Sequence, residues 1–155
     1  MNVEIGIEES DRVIIVEGLA KLQGDTYLLS MKAQNYHWNV KGPLFSSLTH
    51  LFMEHHNELT EGIENIALRV RMLGHVAPGT LTEYKRLSSL AEGDSAQDAE
   101  SMIKELIENH ESILQDVRPF IKLVEKTNDY ATVDLLVRHL TVHAEMAWEL
   151  RSIIE

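Results

Sequence analysis

From Ile15 onward, apolar side chains return at steps of three and four: Ile15, Leu19, Leu22, Leu29, Ala33, Tyr36 and Val40 keep nearly to one helical face. The spacing predicts a first long helix, Ser10 to Asn39. Gly42 and Pro43 interrupt it, and Ser46 or Ser47 is placed to cap the next element by accepting a bond from a free backbone amide. A second stripe carries Leu48, Phe52, His55, Leu59, Ile63, Ile66, Val70 and Leu73, and Gly74 closes it. Between Gly74 and Ser95 the periodicity lapses into Gly, Pro and small polar residues, which predicts a long crossover with a short helix, Thr82 to Leu90, inside it. Ser95 with Asp98 resembles a capping box that opens a third long helix, with Ile103, Leu106, His110, Ile113, Val117, Phe120 and Val124 inward and a kink expected at Pro119. After Thr127, Asn128 and Asp129, a fourth long helix is expected from about Tyr130 to Ile154, turning Leu136, Leu140, His143, Ala147 and Leu150 inward. Four long helices with a long central connection predict an all-α four-helix bundle, with a short helix in the crossover between helices 2 and 3.

A chain of 155 residues fits one domain, and its 44% hydrophobic and 25% charged residues are ordinary for a soluble protein. No apolar run approaches the ~20 residues that span a bilayer, so a membrane role is not expected. The opening MNVEIGIEESDR has neither the basic nor the apolar region of a secretion signal, so a cytoplasmic location is expected. The absence of cysteine excludes disulfides, thiolate zinc sites and cysteine catalysis. A net charge of −11 disfavours broad contact with phosphate backbones and favours cations.

Cation chemistry directs attention to the histidines. Glu54, His55, His56, Glu58 and Glu61 form a dense cluster, but His55 falls on the core stripe while His56 and Glu58 point elsewhere. The cluster therefore reads as a core histidine beside a solvated face. His139 and His143 lie four apart on the fourth long helix, a spacing that could chelate a soft divalent cation.

The segment YHWNVKGPLF from Tyr36, the ALRVRMLG run ending at Gly74, the LG-x-x-APGT turn at Leu73 to Thr80 and the AW-x-LRS tail at Ala147 to Ser152 together resemble the Dps family of ferritin-like mini-cages. The likeness runs from about Asp11 to Glu155, which implies one ferritin-like domain over residues 1–155 with residues 1–10 as an N-terminal extension. It further implies a homo-oligomer, a dodecamer, that takes up, oxidises and stores iron and protects against oxidative stress. In this family the oxidation centre lies between two subunits. One supplies the His of HWN, a second His twelve residues on and an acid four beyond; the partner supplies two acids.

Placed without a gap, these positions are His37, Thr49, Met53, Glu64 and Leu68, so that only His37 and Glu64 keep donor side chains. The resemblance therefore implies iron chemistry, while the residues imply a weak site and an impaired ferroxidase centre. An active alternative shifts the site to His50 and Glu54, which reproduce the missing spacing one residue late. That shift turns both side chains by about 100° unless a π-bulge absorbs it. A non-enzymatic alternative is a structural shell subunit, co-assembling with a related competent chain. The family likeness gives His143 a counterpart and His139 none. It also places Glu125, Asp129 and Asp134 where acidic residues line ion pores, although Asp129 is equally suited to cap the fourth helix. Tail-mediated DNA binding is not expected, because Glu4, Glu8, Glu9 and Asp11 fall in the first eleven residues and no Lys or Arg does.

Overall fold

The computed structural model describes residues 3–155; Met1 and Asn2, the start of the expected N-terminal extension, lie outside the described residues. Its helices are α1 (Glu9–Asn39), α2 (Phe45–Met72), α3 (Leu81–Leu87), α4 (Ala99–Glu125) and α5 (Tyr130–Ile154). The expected third and fourth long helices are α4 and α5. The four long helices enclose a core to which the inward stripes contribute Ile15, Leu29, Tyr36, Phe52, Ile66, Ile103, Leu106, Leu136 and Leu150. α2 runs against α5 in the opposite chain direction: Arg69 of α2 bonds to Asp129 and Thr132, and His55 at the other end bonds to Glu149.

Helix starts depart from the expectations for physical reasons. α2 begins at Phe45 rather than after a serine cap; Gly42 at φ 109° makes the turn, and the Ser47 hydroxyl donates back to the Leu44 carbonyl. α3 begins after Thr80, whose hydroxyl accepts from the Glu83 amide while the Glu83 carboxylate accepts from the Thr80 amide. This reciprocal box fixes the start of α3 one residue earlier than Thr82. α4 is capped by Asp98, which accepts from the Ser101 amide at 2.8 Å. Ser95 is not its cap, because Asp94 folds the preceding segment into a turn by accepting from the Ala96 amide. α4 continues unbroken through Pro119, and the Phe120 ring packs where a Cβ on Gly18 would stand only 2.2 Å away.

Polar bonds fasten the crossover to α1. Asp25 accepts from the Ser88 hydroxyl and the Ser89 amide, both at 2.8 Å. Lys32 is fully buried and donates to Glu105 at 2.9 Å and to Asn109 at 2.7 Å, while Tyr36 donates to the other Glu105 oxygen. Burial works against the Glu105 charge, yet bonds from Tyr36, Lys32 and Gln97 hold its carboxyl below the usual range.

Candidate functional site

His37 stands in the last turn of α1 and is half-buried against the first turns of α2. Its Nδ1–H donates to the Thr49 carbonyl at 2.6 Å, and the Thr49 hydroxyl donates to the His37 carbonyl at 2.8 Å while lying 2.9 Å from Nδ1. This arrangement assigns the proton to Nδ1 and leaves the Nε2 lone pair for an outside partner. Residue 49 is therefore the neighbour of His37 in space, and its side chain carries a hydroxyl.

Around this point the surface is apolar. Trp38, Leu44 and Phe45 are exposed and Met53 is half-buried, whereas the exposed Leu68 and Met72 lie near the opposite end of α2, on the order of 30 Å away along the helix. Glu64 is exposed on α2 and is the one carboxylate among the five aligned positions. His50 and Glu54 are exposed as well. α2 is α-helical over its whole length with no π-turn, and His50 uses its Nδ1–H on the Ser46 carbonyl at 2.6 Å. Nothing in the helix thus absorbs the one-residue offset that separates this pair from His37. Among the described residues, no three His, Asp or Glu side chains of one chain stand ready to hold a metal ion.

The Glu54 to Glu61 cluster divides as its helical phase requires. His55 is buried and donates from Nε2 to Glu149 at 2.8 Å, whereas His56 donates from Nδ1 to the Ser30 carbonyl at 2.9 Å. The expected pore residues also separate. Glu125 is exposed at the end of α4, and Asp134 is exposed and paired with Arg138 at 3.1 Å. Asp129 is buried: Oδ1 accepts from Arg69 and from the Thr132 amide, and Oδ2 accepts from the Thr132 hydroxyl. Burial opposes its charge, but the Arg69 guanidinium and Thr132 hold its carboxyl below the ordinary range.

A file of imidazoles that no single local spacing connects lies inside the bundle. His110 of α4 and His143 of α5 share a bond between their Nδ1 atoms at 2.9 Å; His55 lies on one side of this pair and His139 on the other, each ring centre 6.1 Å from its neighbour. All four are buried. Burial lowers His110 well below its usual value, reinforced by the charges of His143 and His55. It lowers His139 to about 4, assisted by Arg138, and His143 to about 3, assisted by His139, so these rings are neutral at pH 7. Three of the four lay on inward stripes, and that shared phase was the available signal.

The ferritin-like domain family matches residues 16–155. A "DNA protection during starvation protein 2" of Bacillus anthracis is 31% identical over 90% of this chain and 96% of its own. An "uncharacterized low temperature-induced protein" of Nostoc is 36% identical over 99% of this chain and 87% of its own. Among solved structures, DpsC from Streptomyces coelicolor superposes with a TM-score of 0.96 at 27% identity, covering 100% of this chain and 91% of that one. Dps from Staphylococcus aureus gives 0.88 at 28% identity, covering 91% and 95%.

Proposed function

The chain belongs to the Dps family of ferritin-like proteins, and we propose that it is the subunit of a dodecameric cage that sequesters iron and protects against oxidative stress, with an impaired ferroxidase centre between subunits. The observation that carries the impairment is the contact of Thr49 with His37. A hydroxyl that spends its proton on a backbone carbonyl is a poor substitute for an imidazole ligand. Met53 and Leu68 replace two carboxylates with groups that cannot neutralise a ferrous ion. His37 and Glu64 would leave most of the shell of iron, the substrate and cargo, to water. The charge of −11 per chain supports cation accumulation without a fast oxidation centre.

The test is ferrous oxidation by the purified, sized protein, with oxygen or peroxide admitted after anaerobic loading. The unmodified chain is compared with the triple variant Thr49→His, Met53→Asp, Leu68→Glu. Slow oxidation by the first and acceleration of at least tenfold in the second are expected. Equal, rapid rates in both would remove the impairment. An inert but assembled triple variant would overturn the gapless placement, and a chain that stays monomeric would overturn the cage.

A further inference from the structure

The imidazole file is not used by the seam between subunits, and it is an expensive feature to keep. His143 is 1% exposed and its Nε2 has no hydrogen-bond partner; the buried Nδ1 of His55 has none either. A buried polar atom left unpaired costs about 1–3 kcal/mol, which an aliphatic side chain would avoid. His143 and His139 both line a pocket of about 200 Å³ between α2 and α5, together with Glu58, Glu61, Gly62 and Arg138. Gly62 makes room for this arrangement, because a Cβ there would stand 3.0 Å from Cε1 of His139.

We infer that this pocket is a site within a single chain for one divalent transition cation of the zinc class, held by the imidazoles of His139 and His143 and completed by the carboxylate of Glu58. The helix register supports the choice of glutamate. Gly62 faces His139, and His55 bonds to Glu149, so Glu58 falls between these two levels, abreast of His143. His143 has the connectivity of a ligand: one ring nitrogen is fixed by a neighbour and the other is unoccupied. When its Nδ1–H donates to His110, Nε2 presents a bare lone pair.

The His139 and His143 ring centres are 6.1 Å apart. Two imidazoles that share one cation through bonds of about 2.0–2.1 Å have centres roughly 5–6 Å apart, so the two rings, now inclined by 26°, must close slightly and turn toward one another to share an ion. Three donors do not yet converge, and binding therefore requires the exposed Glu58 side chain to swing onto the two fixed rings. A cation also suits the surrounding charge: the Glu58 carboxyl is pushed up by burial and by the charges of Glu145, Glu149 and Glu61, against a lowering contribution from His55. Imidazole with one carboxylate selects zinc-like ions over magnesium or calcium.

The site is tested with zinc on the full-length assembled protein, by competition against a chromophoric chelator. One tightly held zinc per chain is expected that is retained by His37→Gln and weakened at least tenfold by both His139→Gln and Glu58→Gln. Crystals soaked in zinc should show an anomalous peak at Nε2 of His143. Glu58 is exposed, so its variant keeps the test open if His139→Gln does not fold. Unchanged stoichiometry and affinity in Glu58→Gln, or no peak beside His143, would overturn the proposal. Zinc lost only in His37→Gln would assign the metal to the subunit seam instead. The iron-oxidation result is independent of all these outcomes.

Discussion

Asp129 joins the start of α5 to the end of α2, and removing its carboxylate should be among the more damaging single changes in the chain. Its side chain is 1% exposed and its Arg69 partner 14% exposed, with an N···O distance of 2.6 Å. Asp129→Ala deletes the N-cap bond to the Thr132 amide, a loss of about 1 kcal/mol. It also strands the Arg69 guanidinium, whose remaining side-chain partner is the Thr132 hydroxyl. Breaking a buried pair from one side costs about 3–5 kcal/mol, and the slight exposure of Arg69 favours the lower figure. The expected loss is therefore about 4 kcal/mol. Asp129→Asn keeps a capping oxygen and loses only the charge, so its cost should be about 3 kcal/mol. Guanidinium denaturation at pH 7, followed by helical circular dichroism, measures both. Equal stability of Asp129→Asn and the unmodified chain would refute the ion-pair argument, and a loss under 1 kcal/mol in Asp129→Ala would refute the cap as well. Because the folded-state pKa is depressed, this contribution is present above the unfolded value of about 3.8 and disappears as pH falls through the folded value.

The buried histidines should make the protein acid-labile. The folded-state pKa values of His110, His139 and His143 are lowered, so the unfolded chain takes up protons first; stability is full above about pH 6.5 and falls as pH drops toward 4. His139 and His143 should each cost roughly 2 kcal/mol between pH 7 and pH 5 in metal-free buffer. Unfolding curves that remain parallel for the unmodified chain and His139→Gln at the two pH values would contradict this. Gly18→Ala should destabilise by about 1–3 kcal/mol, because its Cβ would meet the Phe120 ring at 2.2 Å. An unchanged melting temperature would show that Phe120 repacks freely.

The stripes were legible because burial imposes a 3.6-residue period on the sequence. Ile15, Leu19, Leu29, Phe52, Ile66, Ile103 and Leu136 were all placed inward by spacing, and all are buried. Helix starts were less legible because several nearby residues can serve as a cap. Thr80 and Thr82 are equally suitable by type, and only the return bond from Glu83 to the Thr80 amide selects the first. The tie between Lys32 and Glu105 was invisible for a different reason. A lysine on a helix reads as solvated until the crossover closes over it, and its partners lie 73 and 77 residues away. His110 and His143 are likewise 33 residues apart, and no local period connects them.

The donor inventory of the chain is therefore divided between two settings that obey different physics. On the outer face of α2, a methyl-bearing Thr49 fills the space beside His37, and Met53 and Leu68 offer apolar surface suited to burial against a second subunit. A carboxylate at those positions would need a metal or a cation opposite it to be buried without penalty. Inside the bundle the reverse holds. Neutral imidazoles carry donor atoms into a dry core at far lower cost than carboxylates, provided their pKa values are depressed enough to keep them uncharged. On the proposed placement, apolar side chains at residues 53 and 68 favour adhesion between copies over metal binding, and a metal site inside the bundle is best built from histidine. The two proposed readings therefore make separate demands on one set of variants. Iron turnover should respond to residues 49, 53 and 68, and zinc retention to Glu58 and His139; a variant set in which both activities tracked the same residues would refute the division.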